Sequence, residues 1–254
     1  FYMGINVGGA VAPLLCAWLA ESYGWHYGFA LAGIGMLVGL IFFYRGMQNN
    51  VFGDKGLVPD QAYYDLEIFG LDKGKLVTVF AVLAVPFFAI LVKYYHYEHY
   101  LIYLASFGVL LYFVYILQKV SFKERNRLLV AVYFTVLATL FWTVFEQAGS
   151  SLTLFADRNI NLVGMNAAQT NSINSAFIIL LAVPFSMFWS FLTAKNINPN
   201  SALKFGVGLF FLGFGFVIFA FSANQMDELA QTPMLYLVLG YFVLTVGEMF
   251  LSPI

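Results

Sequence analysis

Eight stretches of about twenty mostly apolar residues, each closed by a short polar link, leave this chain very few architectures. About twenty apolar residues wound as a helix cross the hydrocarbon layer of a bilayer. Inside lipid a backbone must satisfy its own hydrogen bonds, which helices do within a single segment. The segments lie at roughly 1–20, 26–44, 75–94, 99–118, 128–153, 171–194, 203–223 and 233–254. The expected fold class is therefore an all-α polytopic membrane protein with eight transmembrane helices. Composition agrees: 61% of the 254 residues are hydrophobic and 10% are charged, with a mean hydropathy of +0.82. A soluble domain carries about 25% charged residues, so there is too little charge here to solvate a globular surface.

The remaining charges are placed with order. With eight spans, alternate loops share a side. Of the 12 Lys and Arg, all but Lys93 and Arg158 fall on one of the two sides. Cytoplasmic loops are rich in Lys and Arg, so the first helix runs outward and the Asp227-Glu228 link lies outside. The one long connection, from about Arg45 to Gly74, holds Gly53-Asp54 and Pro59-Asp60 and reads as a loop. The net charge of −1 offers no basic field for nucleic acid, and no base-reading motif is present. Cys16 is the sole cysteine, which excludes an intrachain disulfide or thiolate metal cluster and suits a small core filler. The absence of an initiator Met and the apolar character of both ends read as an internal piece of a longer membrane protein.

Two acids break the apolar pattern. Glu146 and Glu248 lie within spans, where an ionised carboxylate costs at least ~2.5–3.5 kcal/mol unless a partner, water or a proton compensates it. Thr135, Thr139, Trp142, Glu146 and Ser150 recur at helical spacing, as do Tyr241, Thr245, Glu248 and Ser252. Tyr2 and Asn6 share a face of the first helix, and Asn171 and Asn174 are expected to share one on the sixth. Four polar stripes could converge on an aqueous cavity. The threonines and serines read first as groups bonding across helices, the two carboxylates as functional groups. Gly28, Ala32, Gly35 and Gly39, then Gly206, Gly213 and Gly215, have the spacing that lets helices approach closely. Pro13, Pro86 and Pro184 lie inside spans, where each can kink its helix.

His26, His96 and His99 are placed in outer loops. The run Tyr94-Tyr95-His96-Tyr97-Glu98-His99-Tyr100 reads as interfacial anchoring rather than a metal tract. No nucleophile–base pair or phosphate-cradling loop is visible, so no enzymatic activity, metal or cofactor is expected.

Phe1-Tyr2-Met3-Gly4-Ile5-Asn6-Val7-Gly8, followed by Tyr23-Gly24-Trp25-His26-Tyr27-Gly28-Phe29, resembles the FYxxINxG region of the proton-dependent oligopeptide transporter family. Phe141-Trp142-Thr143-Val144-Phe145-Glu146-Gln147-Ala148-Gly149-Ser150 resembles that family's seventh-helix motif. Val246-Gly247-Glu248-Met249-Phe250-Leu251-Ser252-Pro253 resembles its tenth. The resemblance implies a major-facilitator fold, two six-helix bundles around a central site, of which this chain would hold helices five to ten. Residues 1–45 would close the N-terminal bundle, 46–74 form a cytoplasmic loop, and 75–118 the extra hairpin that bacterial members carry between bundles. Residues 119–254 would begin the C-terminal bundle. The bacterial cytoplasmic (inner) membrane is the implied location.

By position, the resemblance makes Tyr2, Asn6, Trp142, Asn174 and Glu248 substrate-binding residues, with Asn6, Asn174 and Glu248 around a peptide amino terminus. It makes Glu146 and Glu248 the groups for proton coupling and gating, and sets Asp157 and Arg158 at outer-gate contacts. The family's ExxER helix and the fourth-helix lysine expected to pair with Glu248 would precede this piece; its eleventh-helix pocket would follow. The implied activity is proton-coupled import of di- and tripeptides by alternating access, by a lipid-embedded monomer. Two other readings stand beside it. One is the same fold carrying nitrate or an amino-acid derivative; the other is a membrane enzyme or respiratory subunit that moves protons without carrying solute.

Overall fold

The computed structural model describes residues 2–53, 55, 67–68, 71–226 and 231–251. Phe1, the Asp54 and Pro59-Asp60 positions of the long link, Asp227-Glu228, Ser252 and Pro253 lie outside the described residues. Among the described residues, eight helical spans are long and apolar enough to cross a membrane, close to the eight expected. The chain divides into two units, Phe1–Leu40 with Val130–Ile254, and Ile41–Leu129.

The first unit holds α1 (Tyr2–Tyr23) and most of α2 (Trp25–Gln48), joined at Gly24. Gly24 adopts φ +110°, a conformation that glycine reaches without a Cβ clash, and its N–H donates to the Ala20 carbonyl at 2.8 Å. Pro13 sits inside α1. Most of α5 (Phe122–Phe145) follows in this unit, then a 3₁₀ turn at Glu146–Gly149 and α6 (Ser151–Asn159). The link to α7 (Ser172–Ala194) carries the two-residue strand β3 (Ile160–Asn161) and a second 3₁₀ turn, Ala168–Asn171. Next come α8 (Ser201–Ser222), the short strand β4 (Thr232–Pro233) and α9 (Met234–Leu251). Strands β3 and β4 pair in parallel, Ile160 with Thr232 and Asn161 with Pro233.

Two sequence expectations change here. The fifth span was expected to be continuous, but it breaks at Glu146–Gly149, and Ser150 has φ −129°, ψ −86°. Gln147 is the cause that the structure offers: its side-chain NH2 donates to the Thr143 carbonyl at 3.2 Å, a local bond that competes with the helix ladder. Ser150 thereby leaves the face it was expected to share with Glu146. Similarly, Asn171 lies in a 3₁₀ turn ahead of α7 and donates to the Thr153 hydroxyl at 3.1 Å, whereas Asn174 in the first turn of α7 donates to Glu248 at 3.0 Å, so the two amides serve different partners.

The core of this unit joins α5, α6, α8 and α9 through Phe141, Phe145, Leu152, Leu212, Phe219 and Leu244. Helices α8 and α9 pack most intimately, and glycine spacing explains why. Gly208 and Gly215 are seven residues apart, as are Gly240 and Gly247, so each pair lies on one helix face. A Cβ at Gly247 would stand 2.9 Å from the Gly208 carbonyl oxygen; one at Gly215 would stand 2.7 Å from Leu244 Cδ2. Gly206 and Gly213, expected at the contact, face open space instead. Of the three α2 glycines singled out, Gly28 is closely opposed, 2.7 Å from the Cys16 carbonyl by the same measure, whereas Gly35 and Gly39 are open.

The second unit is built from the end of α2, a small antiparallel hairpin, and the helices α3 (Lys73–Lys93) and α4 (Glu98–Lys119) linked by a 3₁₀ turn at Tyr95–Tyr97. Within the expected loop, β1 (Glu67–Ile68) pairs with β2 (Leu71–Asp72), a feature without a hydrophobic pattern long enough to be read in advance. Asp72 caps α3, accepting from the Lys75 backbone N–H at 2.7 Å and pairing with its ammonium at 2.7 Å. These bonds hold the Asp72 carboxyl below its usual range. Neither α3 nor α4 contains a buried residue. Apolar helices of that kind need lipid as their solvent. His96 lies against Tyr95, and His99 against Tyr100 and Tyr103.

The glycine contacts carry a test. Gly247→Ala must push backbone against backbone, and overpacking of that sort costs about 1–3 kcal/mol. Gly213→Ala meets nothing within 4 Å and should be neutral, or stabilising by up to about 1 kcal/mol. Unfolding midpoints of the two purified variants in detergent check this; equal midpoints would contradict the packing described.

Candidate functional site

Glu248 lies in the last turns of α9, only 6% exposed. Both of its oxygens are engaged. The Tyr2 hydroxyl donates to Oε1 at 3.0 Å from α1, and the Asn174 amide donates to Oε2 at 3.0 Å from the first turn of α7. One carboxylate thus ties three helices together through neutral donors. Bonds to a charged acceptor are about twice as strong as neutral ones, which is how such a group tolerates burial.

The orientation of Asn174 follows from its neighbours. The Thr245 hydroxyl donates to the Tyr241 carbonyl at 2.7 Å, so its oxygen can only accept from Asn174, at 3.0 Å. Both neighbours of the Asn174 NH2 are therefore acceptors, and its Oδ1 is left for a donor from elsewhere. Asn6 behaves alike: buried on α1, it donates its NH2 to the Tyr2 carbonyl at 3.0 Å. Two amide oxygens and a carboxylate are thus the acceptors of this group. Tyr2, Asn6, Asn174 and Glu248, all singled out from sequence, are joined by hydrogen bonds, with Thr245 as the fifth member.

The other two site residues stand outside that hydrogen-bonded group. Trp142 packs edge-on against Phe141 and Phe145, with ring centroids 5.4 Å away in each case. Glu146 is exposed on the 3₁₀ turn, within electrostatic range of Glu248, so the two carboxylates oppose one another when both are charged. Thr135 and Thr139, expected to bond across helices, donate to carbonyls of their own helix, Ala131 and Thr135, at 2.9 and 2.8 Å. The Tyr241 hydroxyl is buried beside Thr170 without a close hydrogen bond.

Sequence reading missed the polar link between α6 and α7. Asn171 donates to the Thr153 hydroxyl at 3.1 Å, and Asn166 and Gln169 reach across to α1. Asp157 and Arg158, placed at this end by resemblance, are exposed. The one signal available for Asn166 and Gln169 was their three-residue spacing before a helix, the spacing of a reciprocal cap.

Asn174 and Glu248 should prove energetically coupled. A double-mutant cycle of Asn174→Ala and Glu248→Ala, read by unfolding midpoint, is expected to give about 1–3 kcal/mol of coupling. Additive effects would show that the bond contributes nothing.

Comparison with known proteins identifies the family. The sequence model of the POT family (PTR2) matches residues 1–254. The peptide transporter YePEPT of Yersinia enterocolitica is 37% identical over 280 residues, covering 100% of this chain and 53% of the relative. The uncharacterized transporter YclF of Bacillus subtilis is 30% identical over 263 residues, covering 100% and 52%. The crystal structure of peptide transporter POT in complex with sulfate superposes with a TM-score of 0.75 at 29% identity, covering 99% of this chain and 52% of that one. The chain spans about half the length of the relatives it matches. With eight apolar helices, a major-facilitator fold and bacterial relatives, this is part of a multi-pass protein of the bacterial inner membrane, and it belongs to the POT family.

Proposed function

We propose that this chain contributes half of a proton-coupled symporter that imports di- and tripeptides by alternating access. The observation that carries the reading is the buried Glu248 carboxylate held by Tyr2 and Asn174 from two other helices. A peptide amino terminus presents three N–H donors. Glu248, the Asn174 Oδ1 and the Asn6 Oδ1 are three acceptors, all left after the amide NH2 groups are committed elsewhere. The Tyr2 hydroxyl supplies the stand-in donor when no ammonium is bound, and a substrate would displace it. A site shared between helices that can move apart suits alternating access, in which two bundles rock about a fixed site.

Proton coupling follows from the same charge. An acid at membrane depth is tolerated as a carboxylate only while donors surround it. Loss of those donors as the helices separate favours proton uptake at Glu248, with Glu146 as the second acid of the coupling pair. Trp142 would wall the cavity on the Glu146 side, and no cofactor is needed besides the proton.

Relatives favour peptides as the cargo: YePEPT is named a peptide transporter, and a mutant of peptide transporter POT, 29% identical to this chain, is described in complex with alafosfalin. One observation supports the second reading, an amino-acid derivative as cargo. A POT family transporter 26% identical, with a TM-score of 0.71, is described in complex with 5-aminolevulinic acid.

The full-length protein, reconstituted in liposomes, should accumulate a dipeptide when an inward proton gradient is imposed and stop when the gradient is collapsed. Glu248→Gln should reduce gradient-driven uptake by at least about a hundredfold, the scale of losing a charged hydrogen-bonding partner in a binding site. Uptake that ignores the gradient overturns the coupling; a dipeptide that fails to compete while 5-aminolevulinic acid does favours the second cargo.

A further inference from the structure

At the outer end of α1, defined by its distance from the Lys- and Arg-rich loops, the α6–α7 link makes contacts that the substrate site does not use. The Asn166 backbone N–H donates to Gln169 Oε1 at 2.9 Å, and the Gln169 N–H donates to Asn166 Oδ1 at 2.8 Å. This reciprocal cap consumes both side-chain oxygens, so both NH2 groups must face outward from the link. They meet α1. Gln169 Nε2 donates to the Leu14 carbonyl at 2.9 Å; Asn166 Nδ2 donates to the Ala17 carbonyl at 3.4 Å and to the Glu21 carboxylate. The link itself is fastened to its own side by Asn171 to Thr153, Thr170 to the Ala167 carbonyl at 2.6 Å, and the Ile160–Thr232 strand pair.

Further along the same helix pair, Gly9 of α1 is so close to α7 that a Cβ there would stand 2.6 Å from Ser175 Oγ. Beyond that contact the two helices part. A cavity of about 810 Å3 opens between the start of α1 and the inner half of α7, lined by Tyr2, Met3, Ser186, Trp189, Ser190 and Thr193. The pair is thus bonded at the outer end, in van der Waals contact at Gly9 and open at the inner end.

We propose that Asn166 and Gln169 are an outer latch: two amides, set by their mutual cap, that hold the outer half of α1 against α7 and must let go before the outer side opens. Gly9 against Ser175 is the pivot, and the hydroxyl-lined cavity is the space into which the inner halves close. The inference rests on the transport reading, since a latch matters only in a protein that alternates. It assigns this role to two amides bonded to backbone carbonyls and the Glu21 carboxylate instead of the exposed Asp157 and Arg158.

The test uses isosteric changes in the full-length protein. Asn166→Asp and Gln169→Glu retain the oxygens of the cap, remove the NH2 donors to α1, and set carboxylate oxygens against the Leu14 and Ala17 carbonyls and the Glu21 carboxylate. Ala17→Cys, in a Cys16→Ser background, places a thiol beneath the latch, and its labelling by a membrane-impermeant maleimide is timed from the outer face. With both isosteric changes, labelling should accelerate by at least about tenfold, the scale of losing two hydrogen bonds. An unchanged rate in protein that reaches the membrane overturns the latch. Should the double variant fail to accumulate, Gln169→Glu alone carries the test, with a severalfold acceleration expected and no change contradicting it. Labelling needs neither peptide nor a proton gradient. A failed uptake assay on the parent protein would thus refute transport and leave the labelling result standing.

Discussion

A carboxylate buried between three helices is the constraint on which the rest of this structure depends. Glu248 could not remain within a span unless something met its charge, and what meets it comes from α1 and α7. The consequence is that α9 cannot move away from either helix without changing the surroundings of that charge. Helix position and the surroundings of that charge are therefore linked through one side chain. The glycines of α8 and α9 add a second constraint by a different route. Close backbone approach at Gly208 and Gly247 fixes α9 against α8.

Much of this was legible in the residues. Apolar length gave the eight spans to within a few positions, because in lipid a helix needs no further signal than a run of about twenty such residues. The acid itself was conspicuous for its cost. Tyr2 and Asn6, and Thr245 and Glu248, were paired by helical spacing alone, and the structure joins all four with Asn174.

What was not legible has physical reasons. Periodicity presumes an unbroken helix, so the 3₁₀ turn at Glu146–Gly149 shifted Ser150 out of its expected stripe, and spacing alone did not show that Asn171 and Asn174 bond to different helices. Glycine spacing does not say which face of a helix is opposed, so Gly206 and Gly213 looked equivalent to Gly215 until the neighbour was in place. Threonines satisfied by their own helix, such as Thr135 and Thr139, look identical in sequence to those that bond across helices. The Asn166–Gln169 pair was hidden for a similar reason: a cap is a local motif, and only the fold brings α1 beside it.

The central claim is that Glu248 receives a substrate ammonium, and one binding comparison addresses it. The affinity of the full-length protein for a dipeptide and for its N-acetylated analogue, which lacks the ammonium, is measured with Glu248 intact and with Glu248→Gln. The account predicts that acetylation weakens binding at least tenfold when the carboxylate is present, the scale of one charged hydrogen bond, and that the difference largely disappears in the variant. A variant that discriminates between the two ligands as strongly as the parent would show that the ammonium is recognised elsewhere.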